Sequence, residues 1–104
     1  MNDYLEIDGV DYLIRFNWNA IGRFQQVEGV EFAELDKIAG KNAKVLTSLI
    51  HCGLAEGARI EKRDLPFTAD DLGALIGPTD IAPILEVFYR QISSSVGAVK
   101  VKKK

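Results

Sequence analysis

The sequence predicts a single α+β domain, mostly α, in which an N-terminal β-hairpin is followed by four to five helices. Apolar and polar residues alternate on both sides of Asp8-Gly9, as is typical of a hairpin. From Ile21 onward the apolar residues recur at helical spacing instead. The chain has 104 residues, of which 47% are hydrophobic, which is enough for one modest core.

The hairpin is predicted over about residues 4–16. Asp-Gly is a strong signal because a type I′ turn needs a positive φ at both central positions, which these two residues tolerate. The apolar residues of the two strands are Leu5, Ile7, Val10, Tyr12, Ile14 and Phe16.

A short helix is predicted over residues 20–28, because Ile21, Phe24 and Val27 follow at helical spacing. Asn17 or Asn19 would cap its start, and Gly29 would end it. A second short helix is predicted from Phe32, Leu35 and Ile38, ended by Gly40. We expect Phe16 and Phe24 to lie in the core.

The longest helix is predicted over residues 42–60. Gly53 and Gly57 are four residues apart on its apolar side, and such a pair permits close approach of another helix. We therefore predict a helix contact at these two glycines, within the core or between copies of the chain.

Two further helices complete the prediction. Thr68 and Asp71 resemble a capping box before a short helix that Gly77-Pro78 stops. Thr79 or Asp80 would cap the last helix, which has the strongest apolar stripe, made of Ile81, Ile84, Leu85, Phe88 and Ile92. The domain is predicted over residues 1–95, followed by a flexible basic tail over residues 96–104.

Charge is distributed unevenly along the chain. The formal net charge is −2, yet the tail alone contributes four of the thirteen basic residues, Lys100, Lys102, Lys103 and Lys104. An acidic body argues against a nucleic-acid-binding face, and four lysines would give only weak, salt-sensitive contact with nucleic acid. We expect no nucleic-acid partner.

The residue types that usually carry chemistry have structural interpretations here, so we predict no catalytic, cofactor or metal site. His51 and Cys52 are adjacent on a helix and point about 100° apart. The acidic residues suit a turn at Asp8, a helix N-terminus at Asp70 and Asp71, and solvated surfaces elsewhere. No glycine-rich phosphate loop is present.

Aromatic and basic side chains are the better candidates for a functional role. Trp18 stands where the strand passes into the helix, and both a core position and an interface position remain open for it. We take Trp18, Tyr89 and the four tail lysines as candidate partner-binding residues.

The order of elements resembles the tail assembly chaperones of long-tailed phages and prophages and the related gene-transfer-agent proteins. The resemblance covers about residues 4–92 and depends on Ile-Asp-Gly at positions 7–9, on Leu-Ile-Arg-Phe-Asn at positions 13–17, and on chain size. It implies a non-catalytic protein that binds the tape measure protein, keeps it soluble and helps recruit tail tube subunits. It also implies a location in the bacterial host cytoplasm and absence from the mature virion.

Other functions remain open. A small phage or prophage adaptor that binds a host protein would share the same fold signals. A metal-dependent hydrolase would need carboxylates at a ligand spacing that the sequence does not contain.

Tail assembly chaperones often share exposed apolar surface between copies, so we expect weak or reversible self-association. No membrane contact is expected, because no stretch approaches the roughly 20 apolar residues of a membrane span.

Overall fold

The N-terminal hairpin is present in the computed structural model, which describes residues 2–94 and Lys102. Strand β1 spans Asp3–Ile7 and pairs antiparallel with β2, Val10–Ile14, with Leu5 opposite Tyr12. The turn residues Asp8 and Gly9 have φ values of 51° and 80°, both positive, as the Asp-Gly signal requires.

Five helical segments follow the hairpin in residues 2–94, so the predicted α+β, mostly α architecture is confirmed. They are α1 (Trp18–Glu28), a 3₁₀ helix (Phe32–Gly40), α2 (Ala43–Glu61), α3 (Ala69–Leu75) and α4 (Pro78–Ser93). The 3₁₀ helix is interrupted at Lys37, whose backbone is not helical.

Several predicted helix ends are also confirmed. The Asn17 side chain accepts a hydrogen bond from the Ala20 N–H and caps α1, which ends at Gly29 with a positive φ of 68°. Thr68 and Asp71 form the predicted capping box, in which each side chain accepts from the other residue's backbone N–H.

The predicted start of the last helix is wrong by two or three residues. Helix α4 begins at Pro78, after Gly77, and not after Thr79 or Asp80. Proline at the first helical position has its φ already set for a helix and needs no N–H partner there. Asp80 instead accepts a hydrogen bond from the Gly77 N–H at 2.8 Å.

Helix α2 is the centre of the core, and α1, α3 and β2 pack against it. Leu49, Ile50 and Leu54 of α2 are fully buried, as are Phe24 of α1 and Phe88 of α4. Phe16 is also buried, so the predicted core positions of Phe16 and Phe24 are confirmed.

The predicted helix contact at Gly53 and Gly57 is wrong, because both glycines face β2 and the residues that follow it. A Cβ on Gly57 would lie 1.9 Å from the Leu13 carbonyl oxygen, and one on Gly53 would lie 2.6 Å from the Phe16 ring. The Arg15 N–H donates to the Gly53 carbonyl at 3.0 Å. Spacing of small residues predicts close packing but does not reveal what packs there. We call the contact of Gly53 and Gly57 with residues 13–16 the glycine seam.

Candidate protein-binding groove

A broad open groove lies where the start of α1, the 3₁₀ helix and the end of α4 meet, and its volume is about 1480 Å³. Its apolar lining contains Trp18 of α1, Phe32 of the 3₁₀ helix, and Tyr89 and Ile92 of α4. We call these four residues and the space between them the aromatic groove. Two of the residues predicted to bind a partner, Trp18 and Tyr89, are thus brought to one surface.

Trp18 and Phe32 are the most exposed parts of the groove. The Trp18 side chain is 72% exposed and that of Phe32 is 61% exposed, and their rings meet edge to face with centroids 5.5 Å apart. The buried face of α1 consists of Ala20, Ile21 and Phe24. Trp18 therefore lies outside the core, and its position at an interface stays a prediction.

The opposite wall of the groove continues directly into the core. Tyr89 is half-buried and packs edge to face on Phe88, and Phe88 packs in the same way on Phe16 with ring centroids 5.0 Å apart. Ile92, one helical turn further on, is 38% exposed. A mobile ring would lose entropy on binding, and Tyr89 is already held by its neighbours.

Polar side chains tie the hairpin to α4 beside this wall. The Arg90 guanidinium donates two hydrogen bonds to the Asp3 carboxylate, at 2.8 and 3.0 Å, and lowers the pKa of Asp3. The Gln91 amide donates to Asp3 and to the Ile14 carbonyl and accepts from the Phe16 N–H. These bonds fix the end of α4 against the hairpin.

Glu56 of α2 binds residues at the start of α1, and its side chain is fully buried. It accepts hydrogen bonds from the Asn17 amide at 2.7 Å, from the Asn19 amide at 3.4 Å and from the Arg59 guanidinium at 2.7 and 2.9 Å. The hydrogen bonds from Arg59 make the largest contribution to lowering the pKa of Glu56, and burial raises it. Together with the bonds from Asn17 and Asn19, they lower this pKa to about 2.

Glu56 is a site residue that the sequence pattern alone did not predict. A signal was available, because Glu56 follows the buried Leu49 by seven residues and therefore lies on the same face of α2. A carboxylate on an apolar helix face needs a partner, and Arg59 stands one turn further along.

His51 and Cys52 have the structural positions that the sequence suggested. Cys52 is buried, and burial raises the pKa of its thiol, which disfavours the nucleophilic thiolate. The His51 Nε2 lies 3.0 Å from the Phe67 carbonyl oxygen. Across the residues that the structure describes, no group of three or more His, Cys, Asp or Glu side chains is arranged to hold a metal ion.

The remaining predictions concern the tail. Lys102 is exposed, whereas Lys100, Lys103 and Lys104 lie outside the described residues, as does the boundary predicted between residues 95 and 96.

Within the described part of the chain, no single helix is long and apolar enough to cross a membrane. Only α3 and α4 taken together, with a 119° bend between them, reach that length and composition.

Comparison with known proteins adds no relative to this picture. No protein-family model, curated protein or solved structure matches the chain.

Proposed function

We propose that this chain is a non-enzymatic chaperone of phage tail assembly that binds an apolar helical segment of the tape measure protein in the aromatic groove. The observation that carries the proposal is the exposure of Trp18 and Phe32 side by side. Tryptophan and other aromatic residues dominate the energetics of protein interfaces, and exposing two in contact leaves apolar area that a partner would cover.

The dimensions of the groove favour a polypeptide over a small ligand. Pockets for small molecules usually enclose about 300–1,000 Å³ and surround their ligand. The aromatic groove is larger, at about 1480 Å³. A helix that lies in such a groove contacts it through side chains at positions i, i+3, i+4 and i+7, and the apolar side chains of a long helical protein provide many such sets.

Charges near the groove suit a partner that is released after use. The Asp3 and Arg90 side chains already satisfy each other, and Asp36 is exposed at the groove edge. A mixed polar edge around an apolar floor is typical of non-obligate interfaces. Reversible binding is what a chaperone needs, since the tape measure protein must pass on to the tail tube subunits that surround it.

Co-expression with the product of the next downstream open reading frame tests the proposal, which requires that product to be a long, helix-rich protein. We expect this partner to be soluble and to co-purify when the wild-type chain is present. The double variant Trp18→Ala with Phe32→Ala should lose most of the co-purified partner. Val27→Ala is the matched control, because Val27 is a comparably exposed apolar residue, at 63%, outside the aromatic groove.

Two outcomes would overturn the proposal. One is a downstream partner that is equally soluble without this chain. The other is capture of the partner that is unchanged in the double variant. Capture of a compact host protein through the same groove, without the downstream partner, would indicate the adaptor function instead.

A further inference from the structure

The most exposed aromatic residue of the groove lies in sequence between two residues that bind the most buried charge of the described chain. Trp18 is 72% exposed, whereas Glu56 is fully buried. The two residues that flank Trp18 in sequence, Asn17 and Asn19, both donate from their side-chain amides to the Oε2 atom of Glu56. One carboxylate on α2 therefore holds the chain on both sides of the indole.

Asn17 is held at both ends of its amide. Its Oδ1 accepts from the Ala20 N–H at 3.0 Å, which caps α1, while its Nδ2 donates to Glu56 at 2.7 Å. Arg59 fixes the carboxylate from the opposite side with two hydrogen bonds, one to each oxygen. The cap, the carboxylate and the guanidinium form one continuous chain of contacts from α1 to α2.

Stability alone is a weak reason for this arrangement. Taking a carboxylate out of water is costly, and apolar side chains of similar size often stabilise a core as well as a buried ion pair does. What an apolar side chain does not provide is directional attachment of Asn17 and Asn19. Holding a binding residue in one orientation reduces the entropy that is lost when a partner docks.

We propose that Glu56 is a positioning residue for the aromatic groove, because it fixes the first turn of α1 and with it the orientation of Trp18. The inference rests on the proposed function, in which Trp18 contacts the partner. Glu56 acts through Asn17 and Asn19 and does not touch the partner itself.

The experiment uses Trp18 as its own reporter, since it is the single tryptophan of the chain. Asn17→Ser keeps an N-cap oxygen for Ala20 but is too short to reach Glu56. Asn42→Ser is the matched control, because Asn42 caps α2 through the Val45 N–H at 3.0 Å and makes no bond to Glu56. Glu56→Gln is the second variant, with the same shape and no charge.

Time-resolved fluorescence anisotropy of the indole is the first measurement. We expect Asn17→Ser and Glu56→Gln to increase the fast component of the decay, which reports local motion of the ring, while Asn42→Ser matches the wild type. Far-UV circular dichroism confirms that each variant is folded. Should Glu56→Gln not fold, Asn17→Ser decides alone. Equal indole motion in all folded variants and the wild type would overturn the proposal.

Affinity for the protein encoded downstream is the second measurement. We expect Asn17→Ser to weaken binding by about three- to tenfold, the cost of ordering one side chain at an interface, and Asn42→Ser to leave it unchanged. Unchanged affinity in Asn17→Ser, despite a more mobile indole, would overturn the positioning role and leave the proposed function intact. If Trp18→Ala also leaves affinity unchanged, the proposed function fails, and a change in anisotropy would still report the contact between Glu56 and α1.

Discussion

The glycine seam and the aromatic groove lie on the same small domain and are built in opposite ways. In the seam, β2 approaches α2 so closely that a single methyl group on Gly57 would lie 1.9 Å from the Leu13 carbonyl oxygen. In the groove, Trp18 and Phe32 expose most of their surface. The seam has no room for an added methyl group, whereas the groove has apolar surface that is largely uncovered.

Because of this difference, we expect changes in the glycine seam to affect mainly stability and changes in the aromatic groove to affect mainly binding. Residues in the seam contribute to folding through packing, so changes there act on the free energy of unfolding. Trp18 and Phe32 contribute little packing, so under the proposed function we expect changes there to act on the affinity for a partner. Glu56 lies between the two regions, because it is buried in the core and bonded to the residues beside Trp18.

The largest expected effect is that of Gly57→Ala. The added Cβ meets the Leu13 carbonyl, and since backbone atoms must then shift, we expect a loss on the order of 3 kcal/mol in the free energy of unfolding. Urea titration followed by circular dichroism measures it. Gly22→Ala is the control, because nothing lies within 4 Å of a Cβ there and α1 should gain about 0.5–1 kcal/mol. Equal stability of the two variants would show that the seam is not tightly packed.

The second effect is a dependence of stability on acid pH that comes from Glu56. Its pKa falls from an ordinary 4.5 to about 2 on folding, so the unfolded chain binds a proton more readily than the folded chain does. The stabilisation is complete above about pH 4.5 and is lost as the pH falls towards 2. The pKa values of Asp3 and Glu34 are lowered as well, so the wild type alone does not isolate Glu56.

Urea titrations of the wild type and Glu56→Gln between pH 2 and 7 isolate this contribution. We expect the wild type to be more stable by at most about 3 kcal/mol at pH 7, and the difference to shrink as the pH falls. Glu34→Gln is the control, because the carboxylate of Glu34 is 44% exposed and its pair with Lys41 contributes little. A difference that stays constant over this range would contradict the low pKa.

The smallest expected effect on stability is that of the groove. Trp18→Ala and Phe32→Ala remove exposed rings, so each should change the free energy of unfolding by no more than about 0.5 kcal/mol. The same urea titration checks this. A loss of 2 kcal/mol or more would mean that the aromatic groove is part of the core, and the contrast between the two regions would disappear.

Local features of the fold were predictable from sequence because each depends on residues close together in the chain. The Asp8-Gly9 turn, the Asn17 cap and the Gly29 helix end depend on backbone conformations that few residue types favour. The capping box at Thr68 and Asp71 is similarly local. Where two local signals competed, as at Pro78 and Asp80, the prediction was wrong by two or three residues.

The groove and the seam were less predictable because they join residues distant in sequence. Trp18 and Tyr89 were chosen as separate candidates, and only the packing of α4 against the hairpin brings them to one surface. The partner of Gly57 had no sequence signal, since close packing against a strand and against a helix favour the same small residues. Phe32 was assigned to a helix on its spacing, which did not reveal its exposure.

The Gln91 side chain has a consequence for the order in which the chain folds during synthesis. It binds the Phe16 N–H, the Ile14 carbonyl and the Asp3 carboxylate, so the backbone at the end of the hairpin obtains these partners from the last turn of α4. A ribosome-bound chain lacks those bonds until residue 91 has emerged. Within residues 2–94, the hairpin is synthesised first and is completed by the helix that is synthesised last, so these contacts form only after nearly all of this segment has left the ribosome.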